Sequence, residues 1–144
     1  DQKELRPPGA EEADADITRN PKTFRSLIRS RVFELLRLLA NSDFLSAREM
    51  LSNAEQWPEK SLENALDAFL QQNERLRLDP EARNARHSYF EELPASKGLK
   101  LQQMLLDPLE NNDWVAEFQI DFETSRTTHL PQLQLIRISL FETH

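Results

Sequence analysis

The spacing of apolar residues changes once along this chain, and the change restricts the possible folds more than any other feature. Between residues 20 and 75, apolar side chains recur every three or four positions, as on one face of an amphipathic helix. From Trp114 to Glu123, apolar and polar residues alternate through five cycles, as in a strand with one buried face. Helices followed by strands predict an α+β domain, with N-terminal helices packed on a curved antiparallel sheet.

Three helices are expected in the first half of the chain, and capping residues indicate where two of them begin. Asn20 can cap the first helix with its side-chain oxygen, and Pro21 suits the first helical position because it needs no N–H partner there. This helix is expected to end near Asn41. Ser42 or Asp43 can cap a short second helix in the same way.

Pro58 separates the second helix from the third, because the residue before a proline is disfavoured in the helical conformation. It then opens a third helix that runs to about Arg75. The apolar spacing predicts that Leu45, Met50 and Leu51 of the second helix face inward.

The second half of the chain is expected to supply the strands, which are predicted over residues 87–93, 99–106, 114–123 and 133–141. In the last of them the alternation slips by one residue, which predicts a β-bulge near Leu135. Val115 and Met104 stand among polar residues on the face expected to be exposed, where the sheet could pair with a second copy as a homodimer.

The order of the elements resembles the nuclear-transport-factor-2-like (NTF2-like) or cystatin-like fold, in which a curved sheet wraps around helices to form an open cone. Such a cone implies a cavity for a small ligand or a reaction. The candidate pocket residues lie near strand ends and are His87, Tyr89, Asp113 and Trp114. No nucleophile elbow or triad motif accompanies them, so no catalytic residue is assigned.

Length and composition limit the remaining classes. The 144 residues suit one domain, expected over residues 18–144 after a polar linker at residues 1–17. The absence of cysteine excludes disulfides, thiolate catalysis and cysteine zinc sites, and is compatible with the cytoplasm. The polar, acidic N-terminus is unlike a signal peptide, and no apolar run is long enough to span a membrane. Because the chain begins at Asp1, it is expected to be part of a longer protein.

The chain lacks the residues that are needed to bind a nucleotide in a glycine-rich loop or to hold a metal ion. With only Gly9 and Gly98, the chain cannot form a phosphate-binding P-loop or a dinucleotide-binding turn. The three histidines, His87, His129 and His144, have no partner at metal-ligand spacing. We therefore expect neither a cofactor nor a metal ion in this part of the protein.

Charge is distributed unevenly, and this points to one segment. The net charge of −7 opposes nonspecific nucleic-acid binding by the chain as a whole, yet residues 19–37 carry six cations and only Glu34, a net charge of +5. The candidate nucleic-acid-binding residues in this segment are Arg19, Lys22, Arg25 and Arg29. The alternative is that these cations pair with acids in the N-terminal tail or on the outer strand face, or dock on a neighbouring acidic domain.

Several short motifs follow one another along the chain, and their order carries a resemblance to a known family. They are Thr18-Arg19-Asn20, Phe24-Arg25, Leu27-Ile28-Arg29, Leu78-Asp79-Pro80-Glu81-Ala82-Arg83, Asp107-Pro108 and Asp113-Trp114 before the alternating strand. Over roughly residues 5–140 the chain resembles a domain of unknown function at the C-terminus of bacterial superfamily-2 DEAD/DEAH-box helicases. The acidic run from Glu11 to Asp16 departs from that pattern.

The resemblance implies an ATP-dependent helicase motor upstream in the same chain, which would hold the ATP and magnesium. No active-site residue of such a motor has a counterpart here. The implied role is that of an accessory domain that assists the binding of RNA, DNA or a partner. The alternatives are a small-ligand-binding or enzymatic cone domain, and a dimerisation or protein-interaction module.

Overall fold

The computed structural model, which describes residues 15–141, has helices before the strands and a further helix between the last two strands. The expected α+β class is confirmed, with helices beside a four-stranded antiparallel sheet that does not close on itself. In chain order the elements are α1 (Pro21–Ala40), α2 (Phe44–Glu49), α3 (Glu59–Gln72), β1 (Ser88–Glu92), β2 (Gly98–Leu105), β3 (Trp114–Asp121), α4 (Phe122–Thr128) and β4 (Leu133–Leu140). Short 3₁₀ turns cover Ala54–Gln56, Ala85–His87 and Pro94–Ser96.

Side-chain caps begin the first two helices where the sequence predicts them. The Asn20 side-chain oxygen accepts a hydrogen bond from the Thr23 N–H at 3.1 Å, and Pro21 follows as the first helical residue. Of the two predicted caps of α2, Asp43 is the one observed, with its carboxylate accepting from the Ser46 N–H at 3.1 Å. Each cap satisfies an N–H that has no partner within its helix.

The inward face of α2 differs from the prediction at one position. Leu51 is buried and Met50 packs partly against the core, as expected, whereas Leu45 is 51% exposed. The prediction for Leu45 was wrong because this short helix turns Phe44 and Ala47 towards the core, three positions apart. Leu45 directly follows Phe44 in the helix, so its side chain points away from the core.

Helix α3 ends earlier than the expected Arg75. Asn73 leaves the helix with an extended backbone, and both its backbone N–H and its side-chain amide donate to the Phe69 carbonyl at 3.0 Å. This double contact satisfies one of the carbonyls left open at the C-terminus of the helix. Gln72, the last helical residue, accepts a hydrogen bond from the Trp114 indole at 3.1 Å and so ties the helix end to β3.

The sheet runs in the order β1-β2-β3-β4, with each strand antiparallel to its neighbour. Glu117 of β3 pairs with Arg137 of β4, but the next residue, Phe118, pairs with Leu135. Ile136 is therefore the extra residue of a β-bulge, which confirms the bulge predicted near Leu135. Because of the bulge, residues of both parities in β4 reach the helix-facing side.

One large core joins the three N-terminal helices to the inner face of the sheet. Its largest fully buried members include Phe24, Phe69 and Phe118. The Phe69 ring meets Trp114 edge to face, with ring centroids 5.7 Å apart. Apolar side chains from both layers meet between the helices and the sheet.

Helix α4 was not predicted from the sequence. The strand expected to reach Glu123 stops at Asp121, whose carboxylate accepts from the Thr124 N–H at 2.8 Å and caps a new helix. Phe122, expected on the apolar face of the strand, instead lies in α4 with its ring 5.8 Å from that of Phe24. The cap overrides the alternating pattern because it offers these N–H groups a local partner.

The outer face of the sheet is covered at one end. Val115 is fully buried and Met104 is 9% exposed, and both pack in a small second cluster with Ala82 and Leu106. The expectation that these two residues are exposed was wrong, because the segment between α3 and β1 folds over this end of the sheet. The Arg77 N–H donates to the Leu106 carbonyl at 2.8 Å and fastens the segment there.

Folded contacts begin at the first described residues. Ile17 packs against the main core, and Asp16 accepts from both the N–H and the hydroxyl of Thr18. Arg126 of α4 lies 3.5 Å from the Asp16 carboxylate. Most of the predicted linker at residues 1–17 lies outside the described residues. Over residues 15–141, none of the helices is both long and apolar enough to cross a membrane.

Candidate functional site

Three of the four cations predicted to bind nucleic acid share one flank of α1. Lys22, Arg25 and Arg29 follow each other at intervals of three and four residues, which places them on neighbouring turns. Arg37 continues the row two turns later. We call Lys22, Arg25, Arg29 and Arg37 the basic flank.

The basic flank runs beside the edge of the sheet and then beside the segment between α3 and β1. The Arg25 guanidinium stands 5.3 Å from the ring centroid of Phe90 in β1, the outermost strand. Further along α1, the Arg83 guanidinium of the connecting segment stands 5.7 Å from the ring of Phe33. Both distances suit cation–π contacts, which hold a guanidinium in place without neutralising its charge.

No carboxylate of the described residues lies within ion-pair distance of the basic flank. Some arginines elsewhere do form ion pairs: Arg77 contacts Asp79 at 2.7 Å, and Arg137 contacts Glu117 at 3.4 Å. Glu117 of the outer strand face contacts Arg137, so this carboxylate is not a partner of α1. The acidic tail, the other suggested partner, lies largely outside the described residues. Within residues 15–141, the basic flank therefore presents positive charge without a carboxylate in ion-pair contact.

Arg19, the fourth predicted residue, belongs to a different local environment. Its charge acts on Asp16, whose pKa is lowered first by hydrogen bonds from the Thr18 hydroxyl and N–H, and then by the charges of Arg126 and Arg19. Arg19 is exposed at the turn before α1. It is thus close to the start of the basic flank, but it already has an interaction partner of its own.

An open cleft of about 230 Å³ lies where the basic flank meets the connecting segment. One wall is a continuous strip of α1, and the other wall comes from the turn at residues 78–83. The lining residues are Ser30, Phe33, Glu34, Arg37, Leu78 and Arg83. The cleft thus combines two guanidinium groups and one carboxylate with an apolar floor.

The four candidate pocket residues do not form one site. Tyr89 is 51% exposed and pairs with Gln102 on the face of the sheet away from the helices, whereas Trp114 is buried in the main core on the other face. Asp113 is exposed at the start of β3. His87 is buried at the end of a 3₁₀ turn, beside Glu81. Alternation along the strands places Tyr89 and Trp114 on opposite faces of the sheet, and His87 and Asp113 lie just outside the strands.

The environment of His87 favours its neutral form. Burial lowers the pKa of the ring most, and the charges of Arg86 and Arg77 lower it further. Nε2 lies 3.2 Å from the Glu81 carboxylate, so a neutral ring protonated on this nitrogen can donate to it. Arg86 also contacts Glu81. These contacts tie Glu81 to the end of the connecting segment that leads into β1.

The described pockets lie outside the space between helices and sheet. A second open pocket, of about 340 Å³, lies between the β1–β2 turn and α4. Across residues 15–141 no cluster of three or more histidine and carboxylate side chains is arranged to hold a metal ion. The two described pockets differ in their charge: the cleft has two arginines and one carboxylate, whereas the second pocket balances Lys97 and Arg126 with Asp121 and Glu123.

A family model described as Domain of unknown function (DUF3516) matches residues 1–138. The chain belongs to this family. No curated protein and no solved structure matches the chain. The DUF3516 match includes every residue of the basic flank and the cleft, and it confirms the resemblance to a domain of unknown function.

Two residues of the candidate site were missed in the sequence. Arg37 was counted in the charge of the segment but not chosen, although its position continues the spacing of Arg25 and Arg29. Arg83 stood in a motif but had no assigned role, because only the folded turn at residues 79–84 brings it to Phe33. The first could have been found by extending the helical spacing, whereas nothing in the local sequence indicates the second.

Proposed function

We propose that this DUF3516 domain binds nucleic acid through the basic flank and serves as an accessory domain of an ATP-dependent superfamily-2 helicase. The observation that supports the proposal most is the row of four cations without carboxylate partners among residues 15–141. At least six of the other twelve cations of residues 15–141 pair with acids, so the row is distinguished chiefly by its regular spacing along one helix in a chain of net charge −7.

The dimensions of the basic flank suit a nucleic-acid backbone. From Lys22 to Arg37 an α-helix rises about 22 Å, so the row is long enough to follow several phosphates of one strand. Each phosphate neutralised by a cation releases counterions, and this favours binding. The negative charge on the rest of the domain would keep a bound strand to this flank.

The helicase context comes from the resemblance of the ordered motifs around Asn20, Asp79 and Trp114. In that context the motor supplies ATP hydrolysis with its magnesium ion, and this domain supplies affinity or direction for RNA or DNA. The basic flank could instead dock on an acidic surface of the motor. Both uses depend on the same uncompensated charge, and a direct binding experiment separates them.

Salt dependence tests the nucleic-acid proposal. Binding of labelled single-stranded RNA, single-stranded DNA and duplex DNA to the domain is measured by fluorescence anisotropy at about 50 mM and about 200 mM salt. Four phosphate contacts predict that affinity falls about 50-fold for a single strand and roughly 150-fold for a duplex over this range. Absence of binding at the lower salt concentration, or affinity that does not change with salt, would contradict the proposal.

The other two functions have less support from the described residues. A small-ligand or enzymatic domain of NTF2-like or cystatin-like type would require the candidates His87, Tyr89 and Trp114 to converge, and they lie apart. A homodimer formed through Val115 and Met104 would require these side chains to be exposed, and they are buried.

A further inference from the structure

The cleft beside the basic flank contains apolar side chains and a carboxylate as well as arginines. A surface that contacts only phosphates would need the arginines alone. We infer that this cleft binds one nucleotide, with its base stacked on Arg83 and its phosphate held by Arg37. The inference rests on the proposed function, because the nucleotide belongs to a strand that continues along the basic flank. It adds a base-binding subsite to a surface that otherwise contacts only phosphates.

Arg83 provides the stacking surface. Its guanidinium carbon lies over the Phe33 ring, 5.7 Å from the ring centroid. Phe33 itself is only 7% exposed, so a ligand cannot reach its ring directly. Arg83 is exposed, so its plane remains accessible from the solvent side. Bases of single-stranded nucleic acids stack on guanidinium planes of this kind.

Arg37 provides the anion contact. It lies one turn after Phe33 on α1 and lines the same cleft as Arg83. Neither guanidinium forms an ion pair with a carboxylate of residues 15–141, in contrast to Arg77 and Arg137. A guanidinium matches a phosphate group with two parallel hydrogen bonds. A phosphate at Arg37 would also place the strand in line with Arg29, Arg25 and Lys22.

Glu34 distinguishes a nucleotide from a bare phosphate. Its carboxylate lines the cleft and repels an inorganic anion, which makes the site a poor one for phosphate alone. A base that carries an amino group can donate to this carboxylate. Ser30 adds a hydroxyl on the same strip of α1. The cleft of about 230 Å³ is smaller than the range of about 300–1,000 Å³ of sites that enclose a ligand, so a bound nucleotide would remain partly exposed to solvent.

Binding of adenosine 5′-monophosphate and of inorganic phosphate to the domain tests the inference. In ¹H–¹⁵N NMR spectra, adenosine monophosphate is expected to shift the side-chain signals of Arg37 and Arg83, with an affinity at least about tenfold above that of phosphate. Arg37→Ala with Arg83→Ala should abolish this binding. The matched control, Arg75→Ala with Lys97→Ala, removes the same charge from exposed positions elsewhere and should leave it unchanged.

Glu34→Gln tests the role of the carboxylate separately. It should raise the affinity for phosphate and lower the ratio of adenosine monophosphate affinity to phosphate affinity. The inference is overturned if phosphate binds as tightly as the nucleotide, or if the Arg37/Arg83 variant binds the nucleotide as the wild type does. A single-stranded oligonucleotide completes the comparison: if it binds with salt dependence while the nucleotide does not bind the cleft, the proposed function stands and this inference fails. If the nucleotide binds the cleft and no oligonucleotide binds the domain, the proposed function fails instead.

Discussion

Asn53 pairs with Leu135 as a neighbouring strand would, although the two residues are separated by 82 positions in the chain. Its side-chain oxygen accepts from the Leu135 N–H at 3.0 Å, and its side-chain amide donates to the Leu135 carbonyl at 2.8 Å. The Trp57 indole donates to the same carbonyl at 2.9 Å. These contacts occupy the outer edge of β4 next to the bulge, where backbone groups would otherwise be buried without partners.

Replacing Asn53 by alanine should therefore destabilise the domain by about 1–3 kcal/mol. The loss arises because the Leu135 N–H, which is buried, has no other partner when the amide is removed. The free energy of unfolding from urea denaturation measures the effect. Asn111→Ala, at an exposed position, is the matched control and should stay within about 0.5 kcal/mol of the wild type. Equal effects of the two substitutions would show that the contact with Leu135 contributes nothing.

The buried His87 predicts a specific pH dependence of stability. Its folded-state pKa lies below the ordinary value of 6.5, so the unfolded chain binds more protons as the pH falls through this region. The contribution of His87 to the free energy of unfolding is therefore complete above pH 6.5. It is lost as the pH falls through the folded-state pKa. The pKa of Asp79 is lowered chiefly by its hydrogen bond from Arg77. Asp79 therefore affects the pH dependence of stability only below its ordinary pKa of 3.8.

Urea unfolding between about pH 5 and pH 7.5 measures the contribution of the histidine to stability in a range where the carboxylates stay ionised. His87→Gln should flatten the decrease in stability on the acidic side, because glutamine does not titrate. His129→Asn removes an exposed histidine and should keep the wild-type slope. A wild-type stability that rises on acidification from pH 7.5 to pH 5, or an unchanged slope in His87→Gln, would contradict the assignment of His87.

Gly98 allows β2 to approach β3 more closely than any other residue type would. A Cβ atom at this position would overlap the backbone carbonyl of Ile120 and lie 2.9 Å from its carbon. Because backbone atoms of a paired strand cannot move aside easily, Gly98→Ala should cost about 3 kcal/mol of stability. Lys97→Ala changes the exposed neighbour and should have little effect. Equal midpoints of urea denaturation for these two variants would show that the strands can separate without cost.

Patterns that depend on local periodicity could be predicted, whereas those that depend on a distant partner could not. The caps at Asn20 and Asp43 and the bulge near Leu135 follow from residue types and spacing, and all three are observed. Helix α4 was missed because the alternating apolar pattern continues through Phe122, although Asp121 followed by Thr124 offers a capping pair. The burial of Val115 depends on a segment more than 25 residues away in sequence, so nothing in its own strand could indicate it.

The candidate site shows the same division. The positive charge of α1 was visible in composition, and its helical spacing placed Arg25 and Arg29 together. Whether those cations were neutralised could not be predicted, because ion pairs such as Arg137 with Glu117 form across strands. The cleft depends on the turn that places Arg83 on Phe33, which is a tertiary contact. Conversely, the sequence suggested one pocket for four residues because the directions of their side chains were unknown. These residues are His87, Tyr89, Asp113 and Trp114.

The most direct test of the account is the nucleic-acid affinity of the Arg25→Glu, Arg29→Glu double variant. Its control is Lys60→Glu with Lys97→Glu, which makes the same charge change at exposed positions outside the basic flank. Circular dichroism first establishes that both variants are folded. In fluorescence anisotropy at about 50 mM salt, the basic-flank variant should lose at least about tenfold in affinity and about half of the salt dependence, whereas the control should lose much less. Equal losses in the two variants, or an unchanged affinity in the first, would contradict the claim that the basic flank binds nucleic acid.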